Sequence, residues 1–170
     1  IKKFSSDNTS IRKVIFKDND DFISENKTER IKIRDNLRIE TNVTDINIIH
    51  SNKPELEYIF SLKVIASEWQ NDRPSVIYYP QYNKLEIKWP SVLKSEIIKI
   101  ESSIKIYIPE NITQLDIRTA SGNIFSGEIK INKFKSKSAS GNINVKKAIT
   151  KEFLLKCTSG NITSENIESE

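Results

Sequence analysis

Three basic side chains stand nineteen residues apart, at Arg118, Lys137 and Lys156. If every nineteen residues bring the chain back to the same place on an adjacent strand, the three cations stack about 4.8 Å apart. At that separation, two unit charges repel by roughly 0.8 kcal/mol in water. The column is therefore a candidate anion-binding strip for a phosphate-bearing wall polymer or a lipid headgroup. A solvated basic face, with Asp116 offsetting part of the charge, is the alternative reading.

Residues suited to catalysis or metal binding are few. His50 is the only histidine and Cys157 the only cysteine, so neither has a partner of its own kind for a metal site. We expect a surface or strand-end histidine and a small buried thiol. The acidic run at residues 18–21 lacks an EF-hand pattern, because Phe22 stands where a ligand is needed. We predict no catalytic residue, metal or cofactor.

Aromatic side chains could stack against a sugar. Trp89 shares strand parity with Ile87 and is expected in the core. Trp69 follows an apolar run and precedes a polar turn, so it is the better sugar-stacking candidate, ahead of the pair Tyr78 and Tyr79.

The composition predicts which elements position these residues. The chain has 170 residues, 36% hydrophobic and 29% charged, with no methionine. Isoleucine dominates the apolar share, and β-branched side chains favour strands over helices. Alternating runs such as Ile104, Ile106 and Ile108 predict half-buried strands. Residues 1–30 are expected to be an irregular segment leading into the domain.

A repeated hexapeptide defines the C-terminal part. "TASGNI" at Thr119–Ile124 returns as "SASGNI" at Ser138–Ile143 and "CTSGNI" at Cys157–Ile162. Fixed-period repetition is typical of solenoids, in which each repeat packs only against its neighbours. We predict one all-β solenoid domain over residues 31–170, clearest over 115–170. Its coils have about nineteen residues, enough for three short sides.

The hexapeptide itself is predicted to be a structural turn. Glycine is expected to adopt a positive φ at a sharp corner, while asparagine forms local bonds or a ladder between coils, and serine satisfies backbone groups. The residues of this turn motif are Ser121, Gly122, Asn123, Ser140, Gly141, Asn142, Ser159, Gly160 and Asn161.

These three hexapeptides, preceded by "IKIYIPENITQLDI", resemble the repeats of the bacterial putative-adhesin family of unknown function, whose surface proteins carry Ser-Gly-Asn/Asp-Ile motifs. The resemblance implies a single-stranded right-handed parallel β-helix, exported and attached to the cell envelope, with no agreed catalytic activity. It also implies that some relatives belong to membrane proteins of envelope-stress regulation.

Together these observations favour a non-enzymatic extracytoplasmic protein of the cell envelope, an adhesin or a structural or binding module. The expected partner is an envelope polymer or another surface or membrane protein. Nucleic acid is not expected, since the net charge of +4 comes from interspersed acidic and basic residues. The unpaired ends of a solenoid would also allow end-to-end or edge association.

Two other functions stay open. One is a sensing domain of an envelope-stress regulatory membrane protein. The other is a carbohydrate-active β-helix enzyme, which would need a cluster of acidic side chains on one outer face. The isoleucine, lysine and asparagine bias suggests a Gram-positive bacterium, in which the domain would lie at the cell surface or on a membrane anchor. Because the chain begins at Ile1, a processed or truncated N-terminus is expected, with any signal or anchor upstream.

Overall fold

Strands are the only regular elements in the computed structural model, which describes residues 9–17, 20–67, 73–90 and 96–169. The prediction of an all-β fold is confirmed. No helix in these ranges is long and apolar enough to cross a membrane. The strands are β1 (Thr9–Lys17), β2 (Asp20–Ile31), β3 (Asn36–Thr41), β4 (Asp45–Ser51), β5 (Leu56–Ser67), β6 (Ser75–Tyr79), β7 (Lys84–Lys88), β8 (Glu96–Pro109), β9 (Gln114–Thr119), β10 (Ile124–Lys130), β11 (Lys133–Ser138), β12 (Ile143–Thr150), β13 (Glu152–Cys157) and β14 (Ile162–Ser169).

The strands form two sheets. The eight-stranded sheet has the order β1-β2-β5-β8-β4-β10-β12-β14, and the six-stranded sheet has the order β13-β11-β9-β3-β7-β6. From β9 onward the chain alternates between the sheets, and we call each successive pair of strands a rung. Neighbouring rungs pair in parallel at an offset of nineteen residues, as in Leu115 with Phe134 and Phe134 with Phe153.

Each rung has two sides rather than the three that the sequence suggested. Ile124 and Ile129, which three short sides would place on separate strands, both lie in β10. Both are buried, although their spacing breaks the alternation of a flat strand. The change of parity occurs at Gly127, which is absent from the pairing register of β10 with β12. A local irregularity inside one strand therefore replaces the predicted corner.

A further rung, β3 followed by β4, precedes the three hexapeptides in sequence. β3 pairs in parallel with β9 and β4 with β10, so that Ile46 lies opposite Ile124. Sequence analysis missed this rung because Thr44 and Asp45 replace the Gly-Asn pair of the motif, and because residues 52–113 separate it from β9. On its other side, β7 and β8 pair in parallel with β3 and β4.

Residues 1–30 were predicted to be irregular, and this was wrong for the part that the structure describes. β1 pairs antiparallel with β2, and β2 pairs with β5 along its whole length. The run "SENKTER" at residues 24–30 lacks apolar residues and so carries no strand signal in the sequence. The long partner β5 supplies its backbone hydrogen bonds, and polar cross-strand contacts accompany them, such as Ser61 Oγ donating to Asn26 Oδ1 at 2.7 Å.

The core lies between the sheets and follows the rung columns. Leu115 and Phe134 are buried in one column, and Phe134 stacks on Phe153 with 5.7 Å between ring centroids. Ile143 is fully buried, whereas its equivalent Ile162 in the last rung is 45% exposed. An inner rung is thus shielded by the rungs on both of its sides, whereas the last described rung has such a neighbour on one side only.

Candidate anion-binding face

The hexapeptide turn is held by its first residue. Gly122 N–H donates to Thr119 Oγ1 at 2.9 Å, and Gly141 N–H donates to Ser138 Oγ at 2.8 Å. In the last rung the acceptor is the Cys157 sulfur, 2.9 Å from Gly160 N. This thiol is half-buried rather than buried as predicted, because it lies in the last rung. Threonine, serine and cysteine share this position since each presents a small acceptor.

Glycine is required in the turn for a different reason from the one predicted. None of the four glycines has a positive φ. Instead, a Cβ on Gly122 would lie 2.7 Å from the carbonyl carbon of Thr44 in the rung below, and one on Gly160 would lie 2.7 Å from that of Gly141. Real Cβ atoms essentially never approach so closely. Close stacking of backbones therefore excludes a side chain here.

The asparagines form a ladder along the rungs. Asn142 N–H donates to Asn123 Oδ1 at 3.0 Å, and Asn161 N–H donates to Asn142 Oδ1 at 2.9 Å. Asp45 begins the ladder, since its Oδ1 accepts from Asn123 N–H at 2.7 Å. Ser121 and Ser140 donate to backbone carbonyls of the preceding rung at 3.2 and 3.3 Å. Ser159 occupies the equivalent place in the last rung, where its N–H donates to the Ala139 carbonyl oxygen at 2.9 Å.

The structure places Arg118, Lys137 and Lys156 side by side on adjacent strands. All three face away from the core, because the residues directly before and after each of them on its strand are buried or face inward. Arg118 is not an isolated cation, since its Nη2 lies 2.7 Å from Asp116 Oδ2. The hydrogen bond to Asp116 raises the pKa of Arg118. The predicted strip is therefore neutralised at one end.

The neutralised part continues across β9, β3 and β7. Lys84 Nζ lies between two carboxylates, 2.9 Å from Glu86 Oε2 and 3.2 Å from Glu40 Oε2. The hydrogen bond to Glu86 is the largest cause of the raised pKa of Lys84. Arg38 lies 3.5 Å from Asp116. Acidic and basic side chains thus balance on this part of the sheet.

On β11 and β13 the basic side chains are not balanced by acidic ones. Lys135, Lys137 and Lys156 have no carboxylate within ion-pair distance among the residues that the structure describes. Lys135 and Lys137 lie on the same side of β11, about 6.6 Å apart along the strand, and Lys156 lies next to Lys137 on β13. Leu154, 44% exposed, lies beside Lys135. We call Lys135, Lys137 and Lys156 the lysine face.

One neighbouring lysine has a partner. Lys133 pairs with Glu152 across β11 and β13, and this hydrogen bond holds the pKa of the Glu152 carboxyl below its ordinary value. The lysine face is therefore flanked by ion-paired residues, with Lys133 at one edge and Arg118 at another. Sequence analysis found two of its members and left Lys135 out, although a lysine two residues before Lys137 was a usable signal.

The other residues singled out in the sequence do not join this face. His50 Nε2 lies 3.9 Å from Glu110 Oε1 on the surface. Trp89 is buried, as predicted, and donates from Nε1 to Thr44 Oγ1 at 3.1 Å. Trp69 and residues 18–19 lie outside the described ranges. Within those ranges, no group of three or more histidine, cysteine or acidic residues could hold a metal ion.

The two tyrosines differ in their surroundings. The Tyr78 hydroxyl donates to Asn83 Oδ1 at 2.5 Å, and burial raises the pKa of this tyrosine. The Tyr79 ring has Lys84 Nζ 5.0 Å from its centroid. Both rings are half-buried, so neither offers a free stacking surface.

A shallow groove of about 400 Å³ adjoins the lysine face on the same side of the six-stranded sheet. It crosses β3, β9 and β11, and Tyr82 stands at its rim with 73% of its surface exposed. Sequence analysis missed Tyr82, because a tyrosine in a Pro-Gln-Tyr-Asn turn carries no periodic signal.

Most of the chain matches a known protein family. The Toastrack DUF4097 family matches residues 31–170, and the chain belongs to this family. No curated protein matches the chain.

Solved structures are similar over most of the chain. A putative cell adhesion protein from Clostridium sporogenes ATCC 15579 is 12% identical with a TM-score of 0.46, over 86% of this chain and 100% of that one. A putative lipid binding protein from Parabacteroides distasonis ATCC 8503 is 22% identical with a TM-score of 0.49, over 85% of this chain and 60% of that one. A putative adhesin from Parabacteroides merdae ATCC 43184 is 12% identical with a TM-score of 0.41, over 85% and 76%.

Proposed function

We propose that this chain is a non-enzymatic, extracytoplasmic binding module of the bacterial cell envelope, of the adhesin type, which holds phosphate groups on the lysine face. The phosphates belong to a wall polymer or to lipid headgroups. The scaffold of this proposal is a right-handed parallel β-helix with coils of about nineteen residues, which the nineteen-residue parallel register supports.

The proposal rests on a contrast between ion-paired and unpaired basic side chains on the six-stranded sheet. The basic side chains Arg38, Lys84 and Arg118 each have a carboxylate within ion-pair distance. Lys135, Lys137 and Lys156 have none at that distance among the described residues, and Glu152 acts on Lys135 only from farther away. Three ammonium groups held on a rigid sheet repel one another until an anion lies between them. Lysine is a compact point charge that contacts phosphate from many directions, so the face suits a repeating phosphate better than one fixed ligand.

The acidic residues of the same sheet were the feature that could have favoured an enzyme. Glu40 and Glu86 are neighbours on β3 and β7. Glycoside hydrolysis needs one protonated carboxyl group beside one carboxylate. Here the Lys84 ammonium lies between the two groups, within 3.2 Å of each. This arrangement supports a structural ion-pair network and a binding module.

The direct test measures binding to poly(glycerol phosphate) and, separately, to vesicles of anionic phospholipid. We expect binding to at least one, weakening from about 0.05 to 0.5 M NaCl as the Debye length shortens. Replacing all three lysines by glutamate should weaken it roughly 100-fold, since each lysine contributes about 1 kcal/mol near an anionic surface. The stronger of the two bindings identifies the source of the phosphate.

A matched control variant distinguishes the effect of losing the lysine face from the effect of changing the net charge. Lys32, Lys105 and Lys146 are exposed, have no ion-pair partner among the described residues and lie outside the lysine face. Their replacement by glutamate changes the net charge equally and should leave most of the affinity. Equal losses in the two triple variants, or no binding by the unmodified protein, would show that the face is only a solvated surface.

A further inference from the structure

The groove beside the lysine face is lined by Leu37 and Leu115, by the ion-paired Arg38, Asp116 and Lys133, and by three further kinds of side chain. Tyr82 supplies an exposed aromatic ring, Asn36 and Gln114 supply amides, and Lys135 supplies a cation that has no ion-pair partner among the described residues. The groove crosses three adjacent strands, which spans about 10 Å. These dimensions suit one or two sugar rings rather than a single phosphate.

Tyr82 is exposed but its turn is fixed. Its N–H donates to the Tyr79 carbonyl oxygen at 3.2 Å, and the next residue, Asn83, is 5% exposed. Asn83 has a φ of 46°, which is the only positive φ among the described residues. Left-handed backbone in a buried non-glycine residue persists only where the surroundings hold it.

The contacts of Asn83 supply that hold. Its Oδ1 accepts from the Tyr78 hydroxyl at 2.5 Å and from Arg34 N–H at 3.2 Å. Its Nδ2 donates to the carbonyl oxygens of Asn36 and Arg34. One buried amide thus ties the Tyr82 turn to the strand that lines the groove, so the ring needs little further ordering when it binds.

The amides in the groove are unused. Within the described residues, no hydrogen bond involves the side chains of Asn36 or Gln114, and none involves the Tyr82 hydroxyl. Ligand sites commonly pair an apolar surface with a few placed polar groups. Tyrosine offers both a flat ring and a hydroxyl at low cost in conformational entropy.

We propose that this groove binds a pyranose sugar carried by the anionic polymer, with the ring on Tyr82, the sugar hydroxyls on Asn36 and Gln114, and the neighbouring phosphate on Lys135. This inference rests on the proposed function, because the lysine face holds the backbone of the same polymer. It adds the chemical class that the groove recognises, a glycosylated rather than a bare phosphate polymer.

The test compares bare poly(glycerol phosphate) with the same polymer carrying glucose, galactose or N-acetylglucosamine. We expect at least one glycosylated polymer to bind about tenfold more tightly than the bare one. Tyr82→Ala should remove this preference and leave the affinity for the bare polymer unchanged. Tyr82→Trp should retain it. Phe125→Ala, at a 43% exposed aromatic residue of the other sheet, is the matched control and should alter neither affinity.

Two results would overturn the inference without touching the proposed function. One is equal binding of the bare polymer and all three glycosylated polymers. The other is a preference that survives in Tyr82→Ala. Loss of bare-polymer binding in the triple lysine variant, by contrast, reports on phosphate binding by the lysine face, which includes Lys135, and not on recognition of the sugar.

Discussion

Gly141 lies so close to Gly122 of the rung below that a Cβ on it would be 2.6 Å from the Gly122 carbonyl carbon. The hydrogen bond from Gly141 N–H to Ser138 Oγ fixes the turn at this place. Rungs can therefore stack at sheet spacing only if the upper of two neighbouring turns carries no side chain at the glycine position.

Gly141→Ala should destabilise the protein by about 1–3 kcal/mol, the usual cost of overpacking, because the new methyl group meets backbone that cannot rotate away. Gly127→Ala is the control, since its Cβ would lie 3.7 Å from the Ile48 carbonyl oxygen, an ordinary contact. Urea unfolding followed by circular dichroism measures both. Equal stabilities of the two variants would contradict the close-stacking explanation.

Ser136→Ala should stabilise the protein by about 1 kcal/mol. The Ser136 hydroxyl is buried without a hydrogen-bond partner in the structure, and removing such a group recovers its desolvation cost. Ser138→Ala makes the same chemical change two residues away, where Oγ accepts from Gly141 N–H at 2.8 Å. That variant should lose about 1 kcal/mol. Thermal unfolding should thus shift in opposite directions, and shifts of the same sign would refute the assignment.

Asn142→Ala should cost about 1 kcal/mol, because Asn161 N–H loses its acceptor in the ladder. Asn142→Asp keeps an oxygen in the same place, as Asp45 does at the start of the ladder, and should retain most of the stability. The comparison of unfolding free energies at neutral pH tests the ladder. An aspartate variant as unstable as the alanine variant would show that the amide acts in another way.

Stability should decline in acid partly through Glu57. Hydrogen bonds from Lys53 and then Arg30 hold the pKa of this carboxyl below the ordinary 4.5. A lowered folded-state pKa contributes stability that is complete above the unfolded-state value and is lost as the pH falls through the folded-state value. Glu57→Gln should therefore lower the unfolding free energy at pH 7 and flatten its decline below about pH 4.5.

Urea unfolding between pH 3 and pH 7 measures this dependence. Glu55→Gln is the control, because Glu55 has no ion-pair partner among the residues that the structure describes. Parallel pH profiles for Glu57→Gln and the unmodified protein would remove Glu57 from the explanation.

Local pattern predicted much of the fold. The alternation of isoleucines predicted strands, and the nineteen-residue spacing of the hexapeptides matched the strand register, because equivalent residues in stacked strands face the same neighbours. The same logic failed for the rung of β3 and β4. There Thr44 replaces glycine in the first of the stacked turns. Its carbonyl is approached by Gly122, and only the upper partner of such a contact needs to lack a side chain.

The candidate site was predicted only in part. Spacing alone placed Arg118, Lys137 and Lys156 in one column, yet it could not show that Asp116 neutralises Arg118 while Lys135 stays without an ion-pair partner among the described residues. Pairing between side chains depends on rotamers and on neighbouring strands far away in sequence. The groove at Tyr82 likewise depends on a turn more than thirty residues before Gln114.

By itself, the sequence determined the strand content, the period and the residues of the turn, because each depends on contacts that repeat with the chain. Only the tertiary structure decided the number of sides in a rung and showed that β3 and β4 form a rung of the same stack. It also decided which basic residues form ion pairs and which do not. The physical reason is that β5 to β8 are inserted between two rungs that become neighbours, and long-range pairing of this kind leaves no local periodicity to read.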